Sequence, residues 1–414
     1  MRNILIVSEH FYPDNIIGAR RPTKIAKKLC EQGYQVDVFA RYGAEDVSGI
    51  CNHLFSFDTL AMEVPSEVSL AAKKHGKFYS FVYHVLYPLR IVRNAHAVRK
   101  QFARLIADVE GVEYDAVFSS FGPLGSLFCG LYYKKKHPRT RWICDFRDPV
   151  IVKYIPKLWR PFFRSYEKKA CRFADAIVAV SYGYLERICR GKYQDKAYMI
   201  PNGFDVDDAM FATDAVPMGD VMRLTYVGAL YGGDRDLSPF FKALHELSNE
   251  GVIDPKKICV SYAGDEYSVM ENQANAYGLK DTLENCGMLS HEDCLRLQFS
   301  SDMLLLSTWN DKDEYGVFPG KLLEYMLIGK PIVSITCGDL PGGEVTRVVR
   351  EGNFGVAYEA ARDEEDFAAF KAYLRQAYSE WETSGKVAFF PREEVLARYD
   401  YKTIMRNIEE LIHG

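Results

Sequence analysis

Short apolar runs that alternate with helical patterns constrain this chain more than any other feature. RNILIVS is a run of strand length, and after a loop the pattern PTKIAKKLCEQG reads as a helix closed by Gly33. QVDVFAR reads as a second strand, and DAVFSSF, RWICDF and AIVAVS as later ones, each preceded by a helical segment. Apolar strands between helices predict a parallel sheet covered on both faces. The alternation restarts after Pro201-Asn202-Gly203 with RLTYVGA, the helix LSPFFKALHELSN and the strand KICVSYAG. Ser290 then opens a helix with Asp293 three residues on, close to a capping box. DMLLLS, a helix at Pro319 and KPIVSI continue the series. The predicted class is therefore α/β, with two doubly wound domains joined near residues 201–222. Their expected bounds are 1–203 and 204–390, with a helical segment 391–414 packing back on the first domain. Sheets of this kind hold ligands at the carboxyl ends of their strands, so the expected site is a cleft between two facing domains.

At 414 residues the chain exceeds one ordinary core, which agrees with two domains. The most apolar stretch, Tyr79 to Val92, contains His84, Pro88 and Arg90 and is not expected to cross a bilayer. The amino terminus reads as a buried strand without the small-residue cleavage site of a signal peptide. Ten cysteines lie scattered with no C-x-x-C and no Cys/His cluster. They read as reduced thiols of a cytoplasmic protein, and no metal site is implied.

Charge is distributed unevenly. Residues 1–200 hold 32 Lys+Arg against 19 Asp+Glu, a balance of +13, whereas the remainder holds 20 against 37, a balance of −17. A basic half suits phosphate groups or an anionic membrane surface. Nucleic acid is the weaker reading, since no recognition motif accompanies the charge. Residues 68–106 mix lysine and arginine with Phe, Tyr, Val and Leu. They read either as one or two core-facing helices with basic outer faces or as a surface lying on a membrane interface.

Several residues sit where chemistry is expected. Pro319 suits a first helical position, and Lys321 and Glu324, three apart, share the face near the positive end of that helix. The pair is either a solvated couple or an anion site with a carboxylate for sugar hydroxyls. His10 ends the first strand, and Gly18, Arg20 and Arg21 follow in a loop. Gly18 would let a backbone approach a ligand closely, and the two arginines either meet a phosphate or begin a basic helix. Asp145, Arg147 and Asp148 in DFRDP follow another strand as a catalytic group or a structural ion-pair cluster.

Read together, FYPDNIIGARRPTKIAKKLCEQGYQVDVFA, YDAVFSSFGPLGS, WICDFRDP, ADAIVAVSYGYLE, MIPNGFD, LTYVGALY, VSYAGDE and FPGKLLEYMLIGKPIV resemble the retaining glycosyltransferases of the family-four type. The branch most resembled serves bacterial surface-polysaccharide assembly. The resemblance spans nearly the whole chain and implies the GT-B fold, two Rossmann-like domains facing a cleft. It implies a nucleotide-sugar donor, UDP-linked by base rate, and a glycan or polyprenyl-diphosphate-linked sugar as acceptor. No cofactor and no metal are implied. It places Arg235 and Lys321 on the donor diphosphate, Glu324 on the ribose, and Gly228, Gly18, Gly316, Val317, Phe318 and Leu322 along the donor, the last three through backbone N–H groups. It places Arg20, Arg21 and Asp145 on the acceptor, with Asp148, His10 and Arg147 nearest the chemistry. Two departures stand out: Ala229 replaces a common arginine, and Gly316 stands where many members carry a glutamate, Glu314 being the nearest acid. They keep alternatives open, namely a degenerate partner subunit or a nucleotide-sugar epimerase.

Overall fold

The computed structural model describes residues 2–14, 16–44, 46–57, 68–107, 112–152, 155–205 and 219–414. It divides into two compact units, residues 1–201 with 404–414, and residues 202–403.

The first unit is built on seven parallel strands: β1 (Asn3–Val7), β2 (Gln35–Ala40), β3 (His53–Ser56), β4 (Ala116–Phe121), β5 (Arg141–Phe146), β6 (Ala176–Ala179) and β7 (Ala197–Met199). Their order in the sheet is β3-β2-β1-β4-β5-β6-β7. The order reverses between β1 and β4, where carboxyl ends part and a ligand crevice forms in such sheets. Crossovers are α1 (Ile17–Glu31), α2 (Val68–Ala107), α3 (Gly125–Lys136), α4 (Arg160–Phe173) and α5 (Tyr182–Cys189). β1, β4 and β5 are buried almost throughout because helices cover both faces.

Helix α2 is one continuous element of 40 residues. Val92, Ala95, Val98 and Phe102 form its buried stripe at helical spacing, while Leu86, Leu89 and Arg90 are exposed. Side chains over most of its first half, with the membrane-interface expectation for them, lie outside the described residues. So does residue 206–218 of the expected linker. Among the described residues no helix is long and apolar enough to cross a membrane.

The second unit holds β8 (Met222–Val227), β9 (Ile258–Ala263), β10 (Leu283–Gly287), β11 (Met303–Trp309), β12 (Ile332–Cys337) and β13 (Gly355–Glu359). Their order is β10-β9-β8-β11-β12-β13, again parallel, with the reversal between β8 and β11. The helices are α6 (Ser238–Asn249), α7 (Tyr267–Asn275), α8 (His291–Phe299), α9 (Gly320–Ile328), α10 (Glu344–Gly352), α11 (Asp363–Ser384) and α12 (Glu393–Leu396). Ser290 caps α8, its Oγ accepting from Asp293 N at 3.1 Å. The final helix α13 (Tyr401–His413) enters the first unit from Ile404 on, where Arg2 donates to Ile412 O at 3.2 Å. Residues 391–403 belong with the second unit.

Two helix starts differ from expectation. Helix α1 begins at Ile17, so Gly18, Arg20 and Arg21 are helical and not in a loop, and Pro22 lies inside the helix. Helix α9 begins at Gly320, and Pro319 is its N-cap in extended conformation rather than its first residue. The reason in the first case lies in the partners of Gly18.

Candidate functional site

In the second unit the site is built at the carboxyl end of β8. The Lys321 ammonium, one residue into α9, donates to the carbonyl of Val227 and lies 5.1 Å from the Tyr226 ring centre. Gly228 follows with φ +101°, and a Cβ there would overlap the Lys321 Nζ. Glycine is therefore required twice, by conformation and by the approach of a cation. Burial, with the Arg235 charge second, lowers the Lys321 pKa to about 8.

Arg235 is buried, 8% exposed, and not the solvent-facing loop residue its position suggests. Its guanidinium stands 4.7 Å from the Tyr231 ring centre and 5.4 Å from that of Trp309, in an aromatic box. The two rings meet edge to face at 5.4 Å. Nη1 donates to Ala229 O at 3.2 Å, and Nε is buried without a partner among the described residues. Neither cation has a carboxylate at ion-pair distance among the described residues, although each is largely withdrawn from water. That is costly unless an anion arrives to meet them.

Glu324, on the second turn of α9, accepts from Gln298 Nε2 at 2.8 Å and lies 4.0 Å from His291 Nδ1. Gln298 is fully buried and its Oε1 has no partner among the described residues. The carboxylate is thus held from α8 by a side chain that sequence reasoning missed. Gln298 and Glu324 are 26 residues apart, and nothing local announces the pair.

The segment before α9 corrects some expectations. Gly316 has φ +80°, which disfavours a side chain there. Glu314 is not free to take the place of a glutamate at Gly316, because its Oε2 accepts from Trp309 Nε1 at 3.1 Å. Leu322 is also not an available donor: its N–H goes to Pro319 O at 3.1 Å, closing the first turn of α9. Val317 and Phe318 lie in the irregular approach to the helix, with the Phe318 ring stacked on Tyr399 at 5.6 Å.

In the first unit the residues expected on the acceptor divide sharply. Arg21 and Asp145 are 2% and 0% exposed and bind each other, with Arg21 Nη2 2.8 Å from Asp145 Oδ1 and Nε 3.1 Å from both oxygens. Arg21 also donates to Pro201 O at 2.6 Å and Ile200 O at 3.1 Å, and Ser120 Oγ donates to Asp145 at 3.0 Å. These two residues tie α1, β4, β5 and the chain end of the first unit together, and each guanidinium nitrogen of Arg21 is engaged within that unit. That corrects their assignment to an acceptor.

Arg147 is held by three backbone carbonyls, those of Gly18, Phe121 and Gly122. Pro22 explains the first. Having no N–H, it leaves the carbonyl four residues earlier without its helical donor, and that carbonyl is Gly18 O. A Cβ on Gly18 would press on Arg147 Nη1, so this glycine makes room for a guanidinium of the same chain rather than for a ligand. Burial lowers the Arg147 pKa against the raising effect of Asp148.

Asp148 remains open to solvent, and so does Arg20. Protein surrounding Asp148 nonetheless raises its pKa, opposed by Arg147, Arg187 and a Tyr184 hydrogen bond. The loop that carries Asp148 is clamped from below: Val150 N donates to buried Glu167 at 3.2 Å, and Arg187 Nη2 donates to Ile151 O at 2.8 Å. His10 Nδ1 lies 3.1 Å from Asp14 Oδ2, with its pKa lowered mainly by burial. Next to it Glu9 accepts from Gly125 N at 2.9 Å, and burial raises its pKa to about 7. Glu9 was not singled out in the sequence, although it too follows β1 at the switch point of the sheet.

Comparison with known proteins places these two units. The profile described as Glycosyltransferase Family 4 matches residues 19–208, and that described as Glycosyl transferases group 1 matches residues 222–375. Among solved structures, sucrose-phosphate synthase (tll1590) from Thermosynechococcus elongatus is similar at a TM-score of 0.64 and 15% identity, over 100% of this chain and 98% of that one. A trehalose-6-phosphate structure from E. coli, bound with UDP-2-fluoro glucose, aligns at a TM-score of 0.63 and 13% identity, over 100% and 99%. The lipopolysaccharide outer core galactosyltransferase WaaB in its apo form aligns at 0.55 and 14%, over 99% of both chains. Among curated protein sequences none matches. The structural likenesses agree with the two parallel sheets in giving the GT-B fold.

Proposed function

The chain belongs to the family-four type of GT-B glycosyltransferases, and from that premise we propose that it moves a sugar, with retention, from a nucleotide-sugar donor to a glycan or polyprenyl-diphosphate-linked acceptor. The observation that carries this reading is the pair of half-buried Lys321 and buried Arg235, which lack a carboxylate partner among the described residues. A departing nucleoside diphosphate supplies the missing negative charge. Its phosphates gain charge as the glycosidic bond breaks, and fixed cations in a dry site stabilise that change most. Glu324, held by Gln298, receives the ribose hydroxyls. Gly228 allows close approach to the phosphates, and the irregular segment at Gly316, Val317 and Phe318 faces the sugar through its backbone.

The acceptor falls to Asp148, His10 and Arg20 of the first unit. Asp148 carries a raised pKa, which suits a group that accepts a proton from a hydroxyl. The retaining course is read as front-face, with the departing phosphate assisting that deprotonation. UDP is preferred as the nucleotide, no metal takes part, and the setting is polysaccharide assembly on the cytoplasmic side of a membrane. Association with that membrane through the basic first unit, residues 68–106 included, fits the acceptor class.

A second reading is favoured by Ala229 and Gly316: a subunit that binds donor and supports an active partner without transferring sugar itself. The test is a panel of UDP- and GDP-sugars with polyprenyl-diphosphate-linked acceptors, in EDTA, with the product anomer read by NMR. Transfer with retained configuration supports the proposal. Nucleotide binding with neither transfer nor donor hydrolysis supports the second reading, and inversion or a strict metal requirement contradicts the mechanism.

A further inference from the structure

Glu266 lies at the carboxyl end of β9, immediately before α7, and has no part in the reading above. Its carboxylate collects three successive backbone donors from the loop after β8. Leu230 N and Tyr231 N reach Oε2 at 2.6 and 2.9 Å, and Gly232 N reaches Oε1 at 2.6 Å. Such a nest of N–H groups is an anion-binding shape, and here the anion belongs to the chain. The loop that forms it has a demanding conformation. Tyr231, Gly232 and Gly233 take φ of +55°, +66° and +105°, and tyrosine adopts the left-handed region only when its surroundings impose it.

Glu266 is itself fixed. Its N–H donates to the Tyr262 hydroxyl at 3.0 Å, and the Tyr262 ring lies parallel to that of Tyr226 at 6.1 Å. Tyr226 in turn donates to Ala229 O at 3.1 Å, returning to the same loop. Downstream, Leu230 O accepts from Gly233 N at 3.1 Å and from Arg235 N at 3.0 Å. The nest therefore sets both the Tyr231 ring and the backbone of Arg235, the two halves of one cation–π contact. Glu314 braces the opposite wall of the box through the Trp309 indole N–H.

We propose that Glu266 is a positioning residue for the donor diphosphate, holding the loop Ala229–Arg235 so that the Arg235 guanidinium is presented beside Lys321. This rests on the reading that those two cations receive the diphosphate. A rival physical account uses the same contacts with the opposite sign. If the nest were itself the phosphate site, Glu266 would compete for it, and its removal would tighten binding.

The experiment titrates UDP and UMP, and GDP and GMP, into wild type and into Glu266→Gln, Glu266→Ala and Glu266→Asp, with thermal unfolding of each. A brace acting through Arg235 touches the second phosphate and spares the nucleoside. The expected result is a loss of about tenfold or more in diphosphate affinity in Glu266→Gln and Glu266→Ala, with monophosphate affinity within about twofold of wild type. Glu266→Asp is expected to recover part of the loss. Hydrogen exchange at Leu230–Gly232 is expected to quicken in Glu266→Gln, a readout that remains if Glu266→Ala folds poorly. Tighter diphosphate binding in the variants overturns the proposal in favour of competition. Equal loss of mono- and diphosphate affinity, or no change in either, also overturns it. Wild-type protein that binds neither diphosphate overturns the donor-site reading and this inference with it, whereas a failure of the inference alone appears only in the variants.

Discussion

The two units bury cations in opposite ways. In the first, Arg21 meets Asp145 and two backbone carbonyls, and Arg147 meets three carbonyls. In the second, Lys321 and Arg235 lean on carbonyls and aromatic faces and have no carboxylate partner among the described residues. A buried cation paired inside its own unit holds elements together, because breaking the pair strands a charge. One with neither a counter-carboxylate nor an acceptor on every nitrogen, as Arg235 with its unpartnered Nε among the described residues, costs stability and is available to an incoming anion. Under the proposed reading, cations withdrawn from water separate into structure and site by what faces them.

Removing a partner tests that contrast most strongly. Asp145→Ala should destabilise the protein by about 3–5 kcal/mol in urea unfolding, since Arg21 stays buried. Lys321→Met should leave stability unchanged or raise it, since it removes a half-buried charge with no carboxylate at ion-pair distance among the described residues. Equal destabilisation by the two variants would erase the distinction. Gly18→Ala comes next. The new methyl presses on Arg147, and a loss of about 1–3 kcal/mol is expected. A neutral result would mean that Arg147 moves freely and that the Pro22-freed carbonyl does not hold it.

Acidity sharpens the comparison on the other side. The Lys321 pKa lies near 8 because of burial and Arg235, so the ammonium is charged below that pH and lost above it. A bound diphosphate keeps the proton on. Affinity should therefore be steady close to pH 7, above the titration of the ligand's own terminal phosphate, and fall above 8, approaching about tenfold per unit as binding takes up one proton. Lys321→Arg should bind with a flat profile over the same range. Smallest is Gln298→Leu, which frees the Glu324 carboxylate from its brace. A loss of roughly 1 kcal/mol in nucleotide binding is expected, with diphosphate and monophosphate affected alike. A change confined to the diphosphate would place Glu324 on the phosphates instead of the ribose.

Both sheets could be read from the alternation of apolar runs and helical patterns, since a parallel strand covered on two faces writes its burial into consecutive residues. The start of α1 could not. Pro22 looks like a helix opening, and only Arg147, 129 residues from Gly18, explains why a helix continues through it. Arg21 and Asp145 looked like ligands for the same reason that they are good structural partners: each is a charge at the end of a strand or the start of a helix. Their pairing depends on contacts 124 residues apart. That Lys321 and Glu324 lie on one helix was legible, because apolar periodicity and a three-residue spacing mark a shared element. Arg235 was legible as a cation but not as a buried one, because its box is made by Tyr231 and a tryptophan from β11. Glu266 left only a faint trace, a carboxylate just after the apolar run VSYAG.

The most direct test of the central claim is calorimetric titration of UDP and GDP, with EDTA present, into wild type, Lys321→Met and Glu324→Ala. The account expects micromolar binding of one nucleotide to wild type, with Glu324→Ala weaker by at least tenfold, about 1.4 kcal/mol. Lys321→Met should lose more, while remaining folded. Folded wild-type protein that binds neither nucleotide, or Lys321→Met that binds as wild type does, would contradict it.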